Sequence, residues 1–302
     1  MSNDTKTWIG VLAGGVAVII WAGWISATRH AVSNPGSATD PLVLAICRAG
    51  LPAVILAPVI WRRGLFPRDS RLVPILIMAA GWGAPFVFFV GEGLKTVPAS
   101  LFGPLVPGLA PILVALFAWV ILAERPGARI LWGLVMIGSA MAAVLGQWAS
   151  QGDWPALAGA PWLIAASTGI SIYTVMFRIS GLSPIEGVAY ISLYSLPMLF
   201  AWYLLQPDAV LGLTVSEWAF HAATQGVLTG ILAVLAYGTA VRHLGTVRGA
   251  TANAMVPVTA ALVGGWALDE VLSLLEWIAV VIASFGVAVV NGVRLGGVLP
   301  RR

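Results

Sequence analysis

Ten stretches of about twenty predominantly apolar residues follow one another along the chain, and that spacing leaves few folds open. They lie at about 8–30, 41–61, 72–94, 98–122, 128–147, 156–178, 184–205, 218–241, 246–267 and 273–293. A helix needs roughly 20 apolar residues to cross the hydrocarbon core of a bilayer. The connections between these stretches are too short to hold a soluble domain. Charged residues make up 9% of the chain, against about 25% in soluble domains. The expected fold class is therefore all-α integral membrane, with ten transmembrane helices.

Sidedness follows from the basic residues, which favour cytoplasmic loops. With the N-terminus inside, Lys6, Arg62, Arg63, Arg68, Arg71, Arg125, Arg129, Arg178, Arg242, Arg248, Arg294, Arg301 and Arg302 all fall inside. Arg29 and Lys95 fall outside, and Arg48 lies within the second span. Both termini are then cytoplasmic, in a multi-pass protein of the inner (plasma) membrane. Only Lys6 precedes the first apolar run, with no small-residue cleavage pattern, so that run is read as an uncleaved span. The single cysteine, Cys47, sits in an apolar run, which excludes a disulfide framework and a cysteine metal site.

The stretch from Phe89 to Glu124 is written twice. It carries Pro104, Pro107 and Pro111 and ends at Glu124; from Tyr237 onward a similar stretch carries Pro257 and ends at Glu270. Thr96-Val97 matches Thr246-Val247 and Pro107 matches Pro257, each 150 residues on, and Trp24 and Arg29 share their spacing with Tyr173 and Arg178. The chain divides into copies at 1–150 and 151–302. Five spans per copy turn the second copy upside down relative to the first. Such inverted repeats recur in secondary transporters that hold substrate near the midplane and work by alternating access. A proline inside a span removes a backbone donor, and the freed carbonyls need partners in protein or water. Pro104, Pro107, Pro111 and Pro257 are therefore the expected sites of irregular helix, facing the space between the halves.

The WAGW of span one, the Pro41 and Arg48 pattern of span two, and the two small-residue, proline, then glutamate segments ending at Glu124 and Glu270 resemble the EamA-type members of the drug/metabolite transporter superfamily. The resemblance covers essentially the whole chain, in both copies. It implies a ten-helix inverted-repeat transporter of small metabolites, such as amino acids or related organic solutes, often moving them outward. It implies no cofactor and no catalytic residue.

Arg48 is the sharpest candidate for contact with substrate. An arginine well inside a span costs some 2.5–3.5 kcal/mol on insertion scales and must face protein or water. Its planar fork suits a carboxylate; the alternative is a lock on carbonyls freed by prolines. Trp24, Trp82, Tyr173, Tyr190, Tyr194, Tyr237 and Asn253 complete the candidate cavity, an apolar site with a few polar groups. Trp82 lies in the kink-prone Gly81-Trp82-Gly83-Ala84-Pro85, and Ser26, Ser171, Gln225 and Thr251 add neutral hydrogen-bonding groups. Glu92 and Glu186 lie near span ends, where capping or a nearby basic residue accounts for them, and no carboxylate falls at the centre of a span. Expected partners are a small-molecule substrate, the lipid bilayer and a coupling proton or ion, with no nucleic acid. A lipid-modifying enzyme is the competing class. His30, His221 and His243 fall at separate span ends without a ligand pair, so no metal site is expected. A non-transporting membrane subunit is the third class, and it would need neither the prolines nor Arg48. No P-loop pattern is present for nucleotide-driven transport.

Overall fold

A computed structural model of the protein describes residues 3–34, 39–67, 71–244 and 246–292. The side chains of Asn3, Asp4, Lys6 and residues 246–251 are outside the description. Several residues used for sidedness (Lys6, Arg68, Arg248, Arg294, Arg301, Arg302) therefore lie outside it, as does the cavity candidate Thr251.

Every described element is helical. The order is α1 (Asn3–Ser33), α2 (Pro41–Ala45), α3 (Leu51–Ile55), α4 (Ala57–Arg63), α5 (Leu72–Trp82), α6 (Ala84–Leu94), α7 (Ala99–Gly103), α8 (Ala110–Leu122), α9 (Ala128–Gln151) and α10 (Trp154–Ser180). Then follow α11 (Pro184–Leu205), α12 (Val215–His221), α13 (Ala233–Leu244), α14 (Thr246–Leu268) and α15 (Leu274–Val290). Three π-helical segments join neighbours end to end: Ile46–Gly50 before α3, Pro104–Gly108 before α8, and Ala222–Leu232 before α13.

Among the described residues, seven helical stretches are long and apolar enough to cross a membrane. An eighth, Pro41–Ile55 with Ala57–Arg63, is bent by 56° at Leu56. Pro58 stands just beyond that break and cannot donate to the preceding turn. Two shorter apolar helices, Ala252–Leu268 and Leu274–Val290, complete the set. Long apolar side chains remain exposed on the outside of the bundle, including Trp61, Trp132, Leu205 and Trp266, as expected where the surroundings are hydrocarbon rather than water.

Helix ends are closed by local polar groups. Ser183 with Glu186, Thr214 with Glu217, and Ser273 with Glu276 each form a capping box, which satisfies two end donors reciprocally. Glu186 also receives Arg63 Nε at 2.6 Å, and Glu92 receives Lys95 Nζ at 2.6 Å. Both glutamates therefore act at span ends.

Inside, helices meet through small residues. A Cβ on Gly81 or on Gly169 would collide with the other's carbonyl oxygen, so α5 and α10 cross backbone to backbone. A Cβ on Gly103 would likewise strike Pro257, which brings α7 against α14. Such close approach supplies dispersion contact where lipid removes the hydrophobic driving force. The proline-rich stretch is irregular at Pro104–Gly108, whereas Pro257 sits inside the unbroken α14. None of Pro104, Pro107, Pro111 or Pro257 is exposed. Ser167 Oγ donates to Val106 O at 2.9 Å and Ser171 Oγ to Ala110 O at 3.2 Å. Two serines of α10 thus serve carbonyls of the proline-bearing helix.

Candidate substrate site

The buried centre of the molecule is aromatic. Trp24, on α1, stacks on Phe86 with centroids 6.3 Å apart and meets Phe102 edge-on at 5.8 Å. Phe86 leads to Trp82 at 6.0 Å, and Trp82 meets Tyr173 edge-on at 4.3 Å. Trp24 and Tyr173, given equivalent places by the repeat, are thereby linked through two rings of α5 and α6. Gly83 breaks the helix between those two rings with φ −87° and ψ −138°. That break presents Trp82 and Phe86 to the same cluster.

Arg48 lies against this cluster, its guanidinium carbon 5.0 Å from the centroid of Trp24. A cation over an indole face gains about 0.5–2 kcal/mol, more as water is excluded. The backbone around it, Ile46–Gly50, is π-helical, a distortion that recurs at functional sites. Arg48 retains a fringe of exposure, but its Nη1 is buried without a hydrogen-bond partner, as is Ser26 Oγ. A buried donor left unpaired costs about 1–3 kcal/mol, more when charged.

Apart from Ser26, the neighbouring polar groups are paired. Trp24 Nε1 donates to Gln225 Oε1, and Gln225 Nε2 donates to Thr28 Oγ1 at 2.9 Å. Gln225 comes from the π-helical segment Ala222–Leu232, which packs on the one bearing Arg48. Gly226 permits that approach, since a Cβ there would press on Cys47 O.

A second group sits beside the first. Trp21 and Tyr237 have centroids 5.6 Å apart, and Asn253 Nδ2 donates to Tyr237 OH at 3.2 Å. Tyr190 and Tyr194 go elsewhere: their hydroxyls donate to Gly64 O and Leu65 O, each at 2.7 Å. They clamp the turn after α4, and no described bond links them to Arg48. Ser171 is spent on helix carbonyls. Sequence reasoning passed over Thr28, Phe86 and Phe102. Thr28 lies four residues beyond Trp24 on the same helical face, a signal that was available; the two phenylalanines carry no mark that separates them from ordinary core. An apolar groove between α9 and α15, lined by Ala140, Ala143 and Ile278, has none of these polar groups and lies on the lipid-facing side.

Ion pairs mark the ends of the bundle. Arg29 Nε lies 3.6 Å from Glu270. Arg178 forks onto Glu124 through two bonds of 2.9 Å, which hold the Glu124 carboxyl below the usual carboxylate range.

A family model described as "EamA-like transporter family" matches residues 8–146 and again 157–292. The chain belongs to the EamA-like transporter family. A relative from Bacillus subtilis (strain 168), named "Uncharacterized transporter YdeK", is 31% identical over 144 residues. That alignment covers 47% of this chain and 47% of the relative, about half of its length. A solved structure described as "Crystal structure of protein" superposes with a TM-score of 0.59 over 96% of this chain and 98% of that one. At 20% identity the likeness is one of fold alone. The family match and the apolar helices together make it a multi-pass membrane protein of a transporter family.

Proposed function

We propose that this EamA-like protein is a secondary transporter that exports small organic solutes carrying an anionic group, such as amino acids or related metabolites, across the plasma membrane. Two five-helix copies, 1–150 and 151–302, are inverted relative to each other, with both termini cytoplasmic. Ten spans result when the bent pair and the two shorter apolar helices are counted with the seven longer ones. The copies alternate access to a site between Trp24, Arg48, Trp82, Tyr173 and Gln225, with Tyr237 and Asn253 at its edge. A proton or another ion supplies the driving force.

One observation carries the substrate reading: Arg48 holds a buried, unpartnered Nη1 over the face of Trp24. A charged donor kept unpaired in a low-dielectric site is expensive, and a carboxylate would engage it bidentately. Flanking rings would cover the apolar body of the solute.

The test is counterflow in proteoliposomes against amino acids, organic acids and cationic solutes. Anionic or zwitterionic solutes should exchange and protect the protein thermally, whereas cations should not. Arg48→Lys keeps the charge without the fork and should weaken exchange by about 10–100-fold, as expected for losing one charged hydrogen bond. Arg48→Ala should abolish exchange in a folded protein. Thermal collapse of both variants would instead assign Arg48 to locking the helices.

A further inference from the structure

Two ion pairs at opposite ends of the bundle follow one plan. The two copies place Thr96 against Thr246 at an offset of 150 residues, Arg29 against Arg178 at 149, and Glu124 against Glu270 at 146, after a connection four residues shorter. Each pair thus joins the arginine of one copy to the glutamate of the other. Both glutamates follow a residue in the left-handed region, Ala123 at φ 56° and Asp269 at φ 53°. Among the described residues these are the only non-glycine positions of that kind. Such backbone costs about 1–3 kcal/mol and persists where its surroundings demand it. At Asp269 it turns the helix end so that Glu270 faces back into the bundle, whereas Glu124 stays exposed beside Arg178.

The two pairs differ in what else they hold. Glu270 accepts from Ala99 N and Ser100 N, each at 2.8 Å, and from Ser100 Oγ at 2.7 Å. It caps the first turn of α7, where unpaired amides and the helix dipole favour an anion. Arg29 Nη1 adds a bond to Leu94 O at 2.6 Å. Glu270 is 13% exposed there, whereas the Glu124 side chain is 50% exposed, with its described hydrogen bonds all to Arg178. The crossing of Gly103 on Pro257 and the contact of Gly264 with Ser100 hold the two proline helices together near Glu270. Farther along the same span, residues 109–115 stay half-buried.

We propose that Glu270 and Glu124 are alternating latches, each closing one face of the transporter by capping the first turn of the other copy's proline helix: Glu270 on α7, Glu124 on α14. In this structure Glu270 is seated on α7, while the described side-chain bonds of Glu124 go to Arg178. Glu270 and Glu124 are then positioning residues, since neither touches the Arg48 site. The proposal rests on the alternating-access reading.

Thr28, paired with Gln225 one residue below Arg29, is a reporter of outer access. In a Cys47→Ala, Thr28→Cys parent, a membrane-impermeant maleimide is applied outside right-side-out vesicles. Glu270→Gln should raise the labelling rate about tenfold, the effect of a single charge-assisted bond. Glu124→Gln should lower it, because it weakens the latch of the opposite conformation. Ser100→Ala removes one of the three donors to Glu270 and should give a smaller rise, which serves if Glu270→Gln does not fold. Opposite signs at the two glutamates support the latches. Equal signs, or no change at either, overturn them, since a merely structural carboxylate would loosen both faces alike. Solute counterflow by the unsubstituted protein is measured in parallel. Its absence would overturn the transport reading, whereas counterflow with equal signs would overturn the latches alone.

Discussion

At the scale of single residues, the Trp24–Gln225–Thr28 chain decides how firmly the aromatic centre is held. Trp24 gives Gln225 its hydrogen bond and Arg48 its π face at once. Trp24→Phe keeps most of the apolar volume but leaves Gln225 Oε1 buried without its donor. That should cost about 1–3 kcal/mol, read as a lowered Tm in detergent, with weaker substrate protection because the cation–π contact is also reduced. The candidacy of Arg48 could be read from sequence, since a charge at that depth needs a reason. The direction of its fork could not, because it depends on which ring of which distant helix lies beneath it. Tyr190 and Tyr194 show the opposite case. A polar-tipped aromatic suits a cavity and a loop clamp equally well, and only the position of the Gly64–Leu65 turn decides between them.

At the scale of helices, close crossings do most of the positioning. Gly169 and Gly81 leave no room for a side chain between α5 and α10. Gly169→Val should therefore destabilise by about 1–3 kcal/mol or more, the usual cost of overpacking. Gly15→Ala, where nothing lies within 4 Å, should leave stability within about 0.5 kcal/mol of the parent. Thermal unfolding of both variants in one detergent checks the contrast. Prolines announced the irregular backbone at Pro104–Gly108, because a missing donor is a local property. The π-helical turns at Ile46–Gly50 and Ala222–Leu232 contain no proline. They widen where two segments press together through Gly226, a tertiary cause that a local reading cannot see. Pro257, whose sequence signal equals that of Pro107, stays within a continuous helix.

For the whole molecule, the charge bias and the ion pairs give mutually consistent sides. Arg63–Glu186 and Arg178–Glu124 each join residues assigned to the cytoplasmic face, and Arg29–Glu270 joins two assigned to the outer face. Reporter fusions in the loop around Asp208 should accordingly read as external; a cytoplasmic signal there would undo the inverted arrangement. The two copies nevertheless differ at one of their close crossings. Gly103 meets Pro257 in the observed conformation, and inverting the roles of the copies would set Asn253 against Pro107. Asparagine has a side chain that glycine lacks, so the mirror-image crossing cannot be equally tight. Under the proposed exchange of roles the two end-states have unequal free energies, and the conformation with Gly103 on Pro257 is the tighter one. Under the proposed export cycle, idle copies resting in that tighter state would keep a membrane's barrier to the outside, with the site open to the side from which the solute arrives.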